Sequence, residues 1–295
     1  MTRFGQLVIG PAGSGKTTYC TVIKRHCEAT GRIVRYVNLD PAAEEFLCDC
    51  DIDIRELISL SDVMEEATIG PNGGLVYVME YIADNISWLT EQLDEFGDDE
   101  YFLFDCPGQI ELYSHLEAMS TIVKALQDID LRLAGVCCMD VTFVSEASKF
   151  LAGSMMALSA MVKLELPHIN VLTKCDLLRN KDEIEARLDS EPEDLIEEVS
   201  EKFPKRFRGL TAAIADVLQQ FSLVCWATLD PRDEEEIAYV LQQADFVIQY
   251  GESVEPKEVG DGALTARGEM EMEDDDDDGE AIVGADAVAA ALGLN

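Results

Sequence analysis

The run Gly10-Pro11-Ala12-Gly13-Ser14-Gly15-Lys16-Thr17 follows the apolar triplet Leu7-Val8-Ile9 and leads through Thr18 into a helix-like stretch, which leaves few folds open to the chain. A strand that ends in such a loop and continues as a helix forms a cradle for phosphates. The glycines let the backbone turn tightly enough for successive N–H groups to point inward at a polyphosphate, and the helix N-terminus adds partial positive charge. Lys16 is expected to reach the outer phosphates and Thr17 to ligate Mg²⁺. Residues 10–18 therefore imply binding of a nucleoside triphosphate.

The rest of the chain alternates short β-like runs with longer helical ones, the pattern of a mostly parallel α/β sheet with helices on both faces. Strands are predicted at Gln6–Ile9, Ile33–Asn38, Tyr101–Asp105, Leu133–Met139, Ile169–Thr173 and Leu223–Ala227. Helices are predicted at Lys16–Thr30, Tyr77–Phe96, Ser114–Gln127, Phe143–Leu164, Gly209–Phe221 and Asp233–Tyr250, with a charged helical insertion facing solvent from Asp182 to Arg208. The order of the strands is not legible. In open sheets of this kind ligands sit at the carboxyl ends of the strands, so residues there are the ones to weigh.

Composition narrows the class. Of 295 residues, 59 are acidic and 22 basic, a formal net charge of −37, which disfavours direct binding to nucleic acid or to an anionic membrane. Residues 251–295 hold 14 acidic and 2 basic side chains, so the remainder still carries −25 and suits basic partners. The tail, 252–295, includes the run Asp274 to Asp278 and is expected to be disordered beside a nucleotide-binding domain at 1–251. No apolar stretch approaches membrane-spanning length and no leader pattern opens the chain, so a soluble, intracellular protein is expected. The nine scattered cysteines read as reduced, mostly buried thiols. His26, His115 and His168 share no spacing that suggests catalysis.

Three strand ends carry chemistry. Asp105-Cys106-Pro107-Gly108-Gln109 follows an apolar run; Asp105 is placed to hold Mg²⁺ through water and the Gly108 N–H to meet the terminal phosphate. Gln109 and Glu111 are candidates to orient or deprotonate the attacking water. Asp40, in Asn38-Leu39-Asp40-Pro41, could complete the shell of Mg²⁺ and water, or could form an Asx turn before Pro41. Thr173-Lys174-Cys175-Asp176 ends a further strand. A carboxylate at Asp176 can accept from both N1–H and the 2-amino group of guanine, a donor pair that adenine lacks, while the Lys174 stem covers the base. Ala227-Thr228-Leu229, ending the last strand, is a weaker candidate to bring backbone N–H groups to the guanine oxygen. GTP and GDP with Mg²⁺ are the expected ligands.

Between the Asp40 segment and Asp105 lies Gly70-Pro71-Asn72-Gly73-Gly74, and with it the chain resembles the GPN-loop GTPases from about Phe4 to Gly251, every motif in family order. Asp53-Ile54-Arg55-Glu56-Leu57 and Asp245-Phe246-Val247-Ile248-Gln249-Tyr250-Gly251 add detail that points to one paralogue of that family. The resemblance implies a GTPase that pairs with a GPN-loop paralogue, as a heterodimer or alternatively a homodimer, each loop reaching toward the partner's nucleotide. It also implies a cytoplasmic protein, with shuttling to the nucleus, that acts with RNA polymerase II subunits or assembly factors in assembly and nuclear import. By its chemistry an asparagine such as Asn72 can donate to a phosphate and accept from water, where no arginine finger is evident. Gly70 and Gly73 are expected to permit a turn that Pro71 stiffens. Two other readings compete: a scaffold subunit that binds GTP without hydrolysing it, and a P-loop kinase in which Asp40 activates a substrate hydroxyl.

Overall fold

Alternation along the first strand, β1 (Arg3–Ile9), turns Leu7 and Ile9 to one face and Phe4 and Val8 to the other, and all four are buried. A strand apolar on both faces belongs inside a sheet covered on both sides. The computed structural model describes residues 2–44, 46–177, 181–190, 192–202, 204–220 and 225–251. In it β1 joins β2 (Val34–Asn38), β3 (Ile52–Asp53), β4 (Tyr101–Asp105), β5 (Leu131–Asp140), β6 (His168–Thr173) and β7 (Trp226–Thr228) in a seven-stranded, all-parallel sheet ordered β3-β2-β4-β1-β5-β6-β7. Val8 pairs with Asp105 and Ile9 with Cys137, so the carboxyl ends of β1 and β4 lie side by side in the middle of the sheet, with β5 next to them.

Helices cover both faces. On one side lie α1 (Lys16–Ala29) and, last in the chain, a helix at Glu234–Val247; Tyr19, Ile23, Ile237 and Val240 pack there against Phe4, Val8 and Leu103. The other side carries α2 (Leu60–Ala67), α3 (Pro71–Asp84), α4 (Ile86–Asp94), the single turn α5 (Glu111–Ser114), α6 (Ala118–Asp128) and α7 (Ala147–Leu164). Val78, Met79, Leu89, Ile122 and Ala157 pack there on Leu7, Ile9, Phe102 and Phe104. Between β6 and β7 come α8 (Lys181–Leu188), α9 (Pro192–Lys202) and α10 (Arg208–Gln220), and the helix at Glu234–Val247 is α11. Arg32 ties α11 to the sheet: its guanidinium makes a bidentate pair with Asp245, 3.0 and 2.7 Å, and lies over the rings of Tyr101 and Tyr250.

Several boundaries differ from the sequence reading. The helix expected at Tyr77–Phe96 is two helices, broken at Asn85, whose side chain donates to the Tyr81 carbonyl instead of letting α3 run on. The residues expected to form a turn at 70–74 begin α3: Gly70 is its N-cap in extended geometry and Pro71 the first helical residue. Neither Gly70 nor Gly73 has positive φ; the constrained position is Gly74, where a Cβ would lie 2.8 Å from Leu60 Cδ1 on α2. Strand β3 and helix α2 were not anticipated. The charged insertion does not only face solvent, since Leu195 and Val199 bury against Ala147 and Leu151 of α7. A first compact unit spans Met1–Glu252; the expectations for Leu223 and Val224 and for the tail at 252–295 lie outside the described residues.

His168 starts β6 against Gly135, where an added Cβ would sit 2.4 Å from the imidazole, and its Nε2 is buried without a partner. Burial lowers its pKa from 6.5 to about 4, offset in part by the Leu166 carbonyl at Nδ1. The folded state thus resists a proton that the unfolded chain accepts, so this residue's contribution is intact above pH 6.5 and declines as pH falls toward 4. A shift of this size corresponds to a loss of about 2 kcal/mol once partial solvent access is allowed for. Urea unfolding between pH 4 and 7 should show that loss in the wild type relative to His168→Gln; parallel pH profiles for the two proteins would contradict the assignment.

Candidate nucleotide-binding site

The loop between β1 and α1 holds its shape through features that the sequence supplies locally. Gly10 has φ 144°, and a Cβ there would lie 2.2 Å from the Cys138 carbonyl on β5, so only glycine passes. Gly15, with φ 85°, caps α1 in the left-handed region. The loop is then held from both sides. The Thr173 hydroxyl lies 2.5 Å from the Ser14 carbonyl and 3.1 Å from the Met139 carbonyl, its single proton serving one or the other. Opposite, Gly108 approaches so closely that a Cβ would meet Ala12 Cα at 2.7 Å and Ala12 N at 2.9 Å. Thr173 therefore acts on the phosphate loop itself.

A cavity of 760 Å³ opens over this loop. Its floor is Pro11, Ala12, Gly13, Gly15, Lys16, Thr17 and Thr18. Around the rim stand Asp40, Asn72, Gly108, Gln109, Glu111 and Lys174, drawn from four separate segments. A contiguous cavity of 220 Å³ shares Gly15, Thr18 and Lys174 and continues to Thr173, Asp176, Leu229 and Pro231. The first has the size and donors for phosphates, and the second, more apolar, suits a flat base. Of the residues singled out from sequence, Gly10 and Ser14 lie behind the cradle and Gly70 and Pro71 outside it, so Asn72 alone of that tripeptide lines the cavity. Ala227 sits within β7, paired with Val171; the described residues that line the base cavity from that side are Leu229 and Pro231.

Lys16 is buried, and its ammonium donates to the Pro11 carbonyl at 3.2 Å, which folds it back across the loop. Thr17 Oγ1 donates to Asp105 Oδ2 at 2.6 Å, and Tyr36 donates to the same oxygen at 2.9 Å. Asp105 Oδ1 is buried with no hydrogen-bond partner. Burial raises the Asp105 pKa, with the donors from Thr17 and Tyr36 and the charge of Lys16 pulling it back down. A hydroxyl and a buried carboxylate with one oxygen unsatisfied match the hard oxygen donors that Mg²⁺ takes, so Thr17 and Asp105 fit that ion. Ser14 Oγ and Gln109 Oε1 are buried and unpartnered as well, which leaves polar capacity for a ligand and its water.

Asp40 borders the cavity, and its Oδ1 accepts from the Ala42 N–H at 2.9 Å in an Asx turn. Its segment is held by Asn38, Asp53 and Arg55, which stand in the motifs quoted above but were given no role there. Asn38 Nδ2 donates to the Asp40 carbonyl and to Asp53 Oδ1. Arg55 pairs with Asp53, donates to the Ala43 carbonyl at 2.7 Å and lies over the Phe46 ring. Two strong pairings pull the Asp53 carboxyl below its usual range despite burial, which acts in the opposite sense. Lys174, at φ 62°, is fixed by a 2.6 Å ion pair with Asp140, another residue the motifs did not flag. Asp176 is 3.5 Å from Arg232 Nη2.

A glycine loop at a parallel-sheet switch, a lysine and threonine at its end, and an acceptor carboxylate beside an apolar slot define a P-loop nucleotide-binding protein. Comparison with known proteins agrees and is more particular. A family described as "Conserved hypothetical ATP binding protein" matches residues 8–250. GPN-loop GTPase 3 of Danio rerio is 50% identical over 263 residues, covering 88% of this chain and 92% of its own, and GPN-loop GTPase 3 of Dictyostelium discoideum is 48% identical over 261 residues, covering 88% and 91%. The chain belongs to the GPN-loop GTPase family. The apo crystal structure of a GTPase from Pyrococcus abyssi superposes with a TM-score of 0.69 at 23% identity, covering 83% of this chain and 97% of that one, a likeness of fold. The family description names ATP, whereas an acceptor-only carboxylate at Asp176 matches the donors of guanine.

Replacing Gly108 by alanine sets a Cβ against backbone atoms of Ala12 that cannot yield. Titration with a fluorescent GDP should show affinity reduced about tenfold or more, equivalent to about 1.4 kcal/mol, with far-UV circular dichroism unchanged. Removing Arg55 by Arg55→Ala should increase proteolytic cutting near Ala43 while leaving the unfolding free energy from guanidine titration within about 1 kcal/mol of the wild type. Protection equal to wild type would show that Arg55 does not hold the segment.

Proposed function

We propose that this chain hydrolyses GTP to GDP and inorganic phosphate and uses the change of nucleotide to alter a dimer with a GPN-loop paralogue. The observation that carries the reading is the gathering of Lys16, Thr17, Asp40, Asn72 and Gln109 around one cavity, continuous with a base slot bordered by Asp176. Loop N–H groups bind the phosphates, and Lys16, released from the Pro11 carbonyl, neutralises charge on the outer ones. Gln109, with Asp40 or Glu111, orients a water in line with the γ-phosphorus. The new bond forms between water oxygen and phosphorus as the bond to the β–γ bridging oxygen breaks, and GDP departs with that oxygen. When bound, Mg²⁺ supplies further neutralisation of phosphate charge, and Thr17 and Asp105 are the residues that would hold it. The site thus acts through positioning and electrostatics.

Asn72 lies at the open side of the cavity, on the second residue of α3, where an amide can face its own nucleotide or that of a neighbouring subunit. The resemblance to GPN-loop GTPases supports the dimer, a heterodimer in the first instance, and supports RNA polymerase II subunits or assembly factors as partners in a cytoplasmic protein that shuttles to the nucleus. The net charge of −37 favours basic protein surfaces over nucleic acid as what it meets.

Single-turnover hydrolysis of γ-labelled GTP tests the chemistry. Gln109→Ala and Asn72→Ala should each slow the step by about 100-fold while leaving GTP affinity within about threefold. If Asn72 acts across the interface, an Asn72→Ala subunit mixed with a wild-type paralogue slows the paralogue's turnover and not its own. Transfer of label to a small-molecule hydroxyl, with ATP as good a donor, would replace this reading with that of a kinase; GTP bound and never cleaved, with or without a paralogue, would replace it with that of a scaffold.

A further inference from the structure

We infer that Tyr36 is the positioning residue for the carboxylate of the Mg²⁺ site: its phenol keeps Asp105 in place when Thr17 turns from the carboxylate to the ion. The inference rests on the proposed function above. Tyr36 is 1% exposed, on β2, the strand beside β4, and its ring stands edge-on to Phe46 at 6.0 Å. Its O–H donates to Asp105 Oδ2, the same oxygen that accepts from Thr17, so one carboxylate oxygen has two donors and the other none. The remaining charged groups that act on Asp105 do not replace that hold. Lys16 favours its ionised form and Asp40 opposes it, and neither is hydrogen-bonded to the carboxylate.

The two donors on Oδ2 differ in what they can do. Thr17 lines the phosphate cavity and has one hydroxyl, so directing its lone pair and proton toward an ion and phosphate costs it the bond to Asp105. Tyr36 has no such second task, being buried at 1% exposure within the core cluster that also holds Cys20, Val34 and Tyr101. Without it, a carboxylate 3% exposed would have no fixed donor at the moment its free oxygen must face the ion and its water. A sequence search for ligands passes over Tyr36 because it lies within an apolar strand and matches no motif.

Release of a fluorescent GDP, followed with saturating Mg²⁺ and again in EDTA, separates this role from packing. The ratio of the two release rates reports the ion alone. Tyr36→Phe keeps the ring and should reduce that ratio about tenfold, as expected for one lost hydrogen bond to an ionised group, with the EDTA rate unchanged. Phe46→Leu loosens the same ring contact and keeps the hydroxyl, so its ratio should match the wild type. The inference is overturned if Tyr36→Phe retains the wild-type ratio, if both of its rates rise together, or if Phe46→Leu loses the ratio equally. A wild-type protein whose GDP release is indifferent to Mg²⁺ would instead remove the Mg²⁺ site proposed at Thr17 and Asp105, on which the inference rests.

Discussion

The phosphate loop is clamped between two neighbours, and the rest of the site depends on that clamp. Gly108 presses on Ala12 from the end of β4, and Thr173 bonds the Ser14 carbonyl from the end of β6. Both reach the loop because the parallel register sets Val8 beside Asp105 and Cys137 beside Ile9, with Asp140 beside Thr173 one strand further out. A shift of one residue in either pairing would turn these side chains to the opposite face and open the cradle. The apolar alternation of β1 and β4, buried on both faces, is what makes such a shift costly.

From the clamp outward, polarity is distributed unevenly in a way that suits a ligand. Next to the loop, Ser14 Oγ, Asp105 Oδ1 and Gln109 Oε1 are buried without partners. Further away the pattern is mixed: Gln6 bonds both Tyr19 and Tyr101, and the half-buried Arg32 is held by Asp245 and two aromatic rings, whereas His168 Nε2, Asn170 Oδ1 and Ser200 Oγ are buried without partners as well. Unsatisfied groups cost stability wherever they occur, and the three beside the cradle are the ones that a phosphate, a water or a cation can satisfy. The Asn38–Asp53–Arg55 network holds the Asp40 segment near the same cavity without entering it.

Much of this was legible in the chain. Tyr101–Asp105 and the start of α1 at Lys16 coincide with expectation, because an apolar run stopped by an acid and a glycine loop stopped by a lysine are sharp local signals. The Gly-Pro-Asn-Gly-Gly run misled for a physical reason: it has the composition of a turn, yet proline is also favoured as the first residue of a helix, and Leu75 to Ile82 supply the buried face that decides for helix. Strand β3 is two residues long and leaves no periodicity to read. Of Ala227-Thr228-Leu229 only Leu229 borders the base slot, with Pro231 beside it, a choice made by where β7 ends relative to β6. Tyr36 and Asp140 carry no motif, and each acts through a partner distant in sequence that only the fold brings near; Arg55 stands in a quoted motif, but its bond to the Ala43 carbonyl shows only in the fold.

The central claim is that the two cavities together accept a guanine nucleotide, and base selectivity tests it most directly. Equilibrium binding of GTP, ATP and XTP in Mg²⁺ should be measured for the wild type and for Asp176→Asn, which exchanges an acceptor-only carboxylate for an amide. The account predicts GTP bound at least 100-fold more tightly than ATP by the wild type and a shift of preference toward XTP in the variant, as the unpaired donors and acceptors change places. Equal affinity for GTP and ATP, or a variant with unaltered preference, would contradict it.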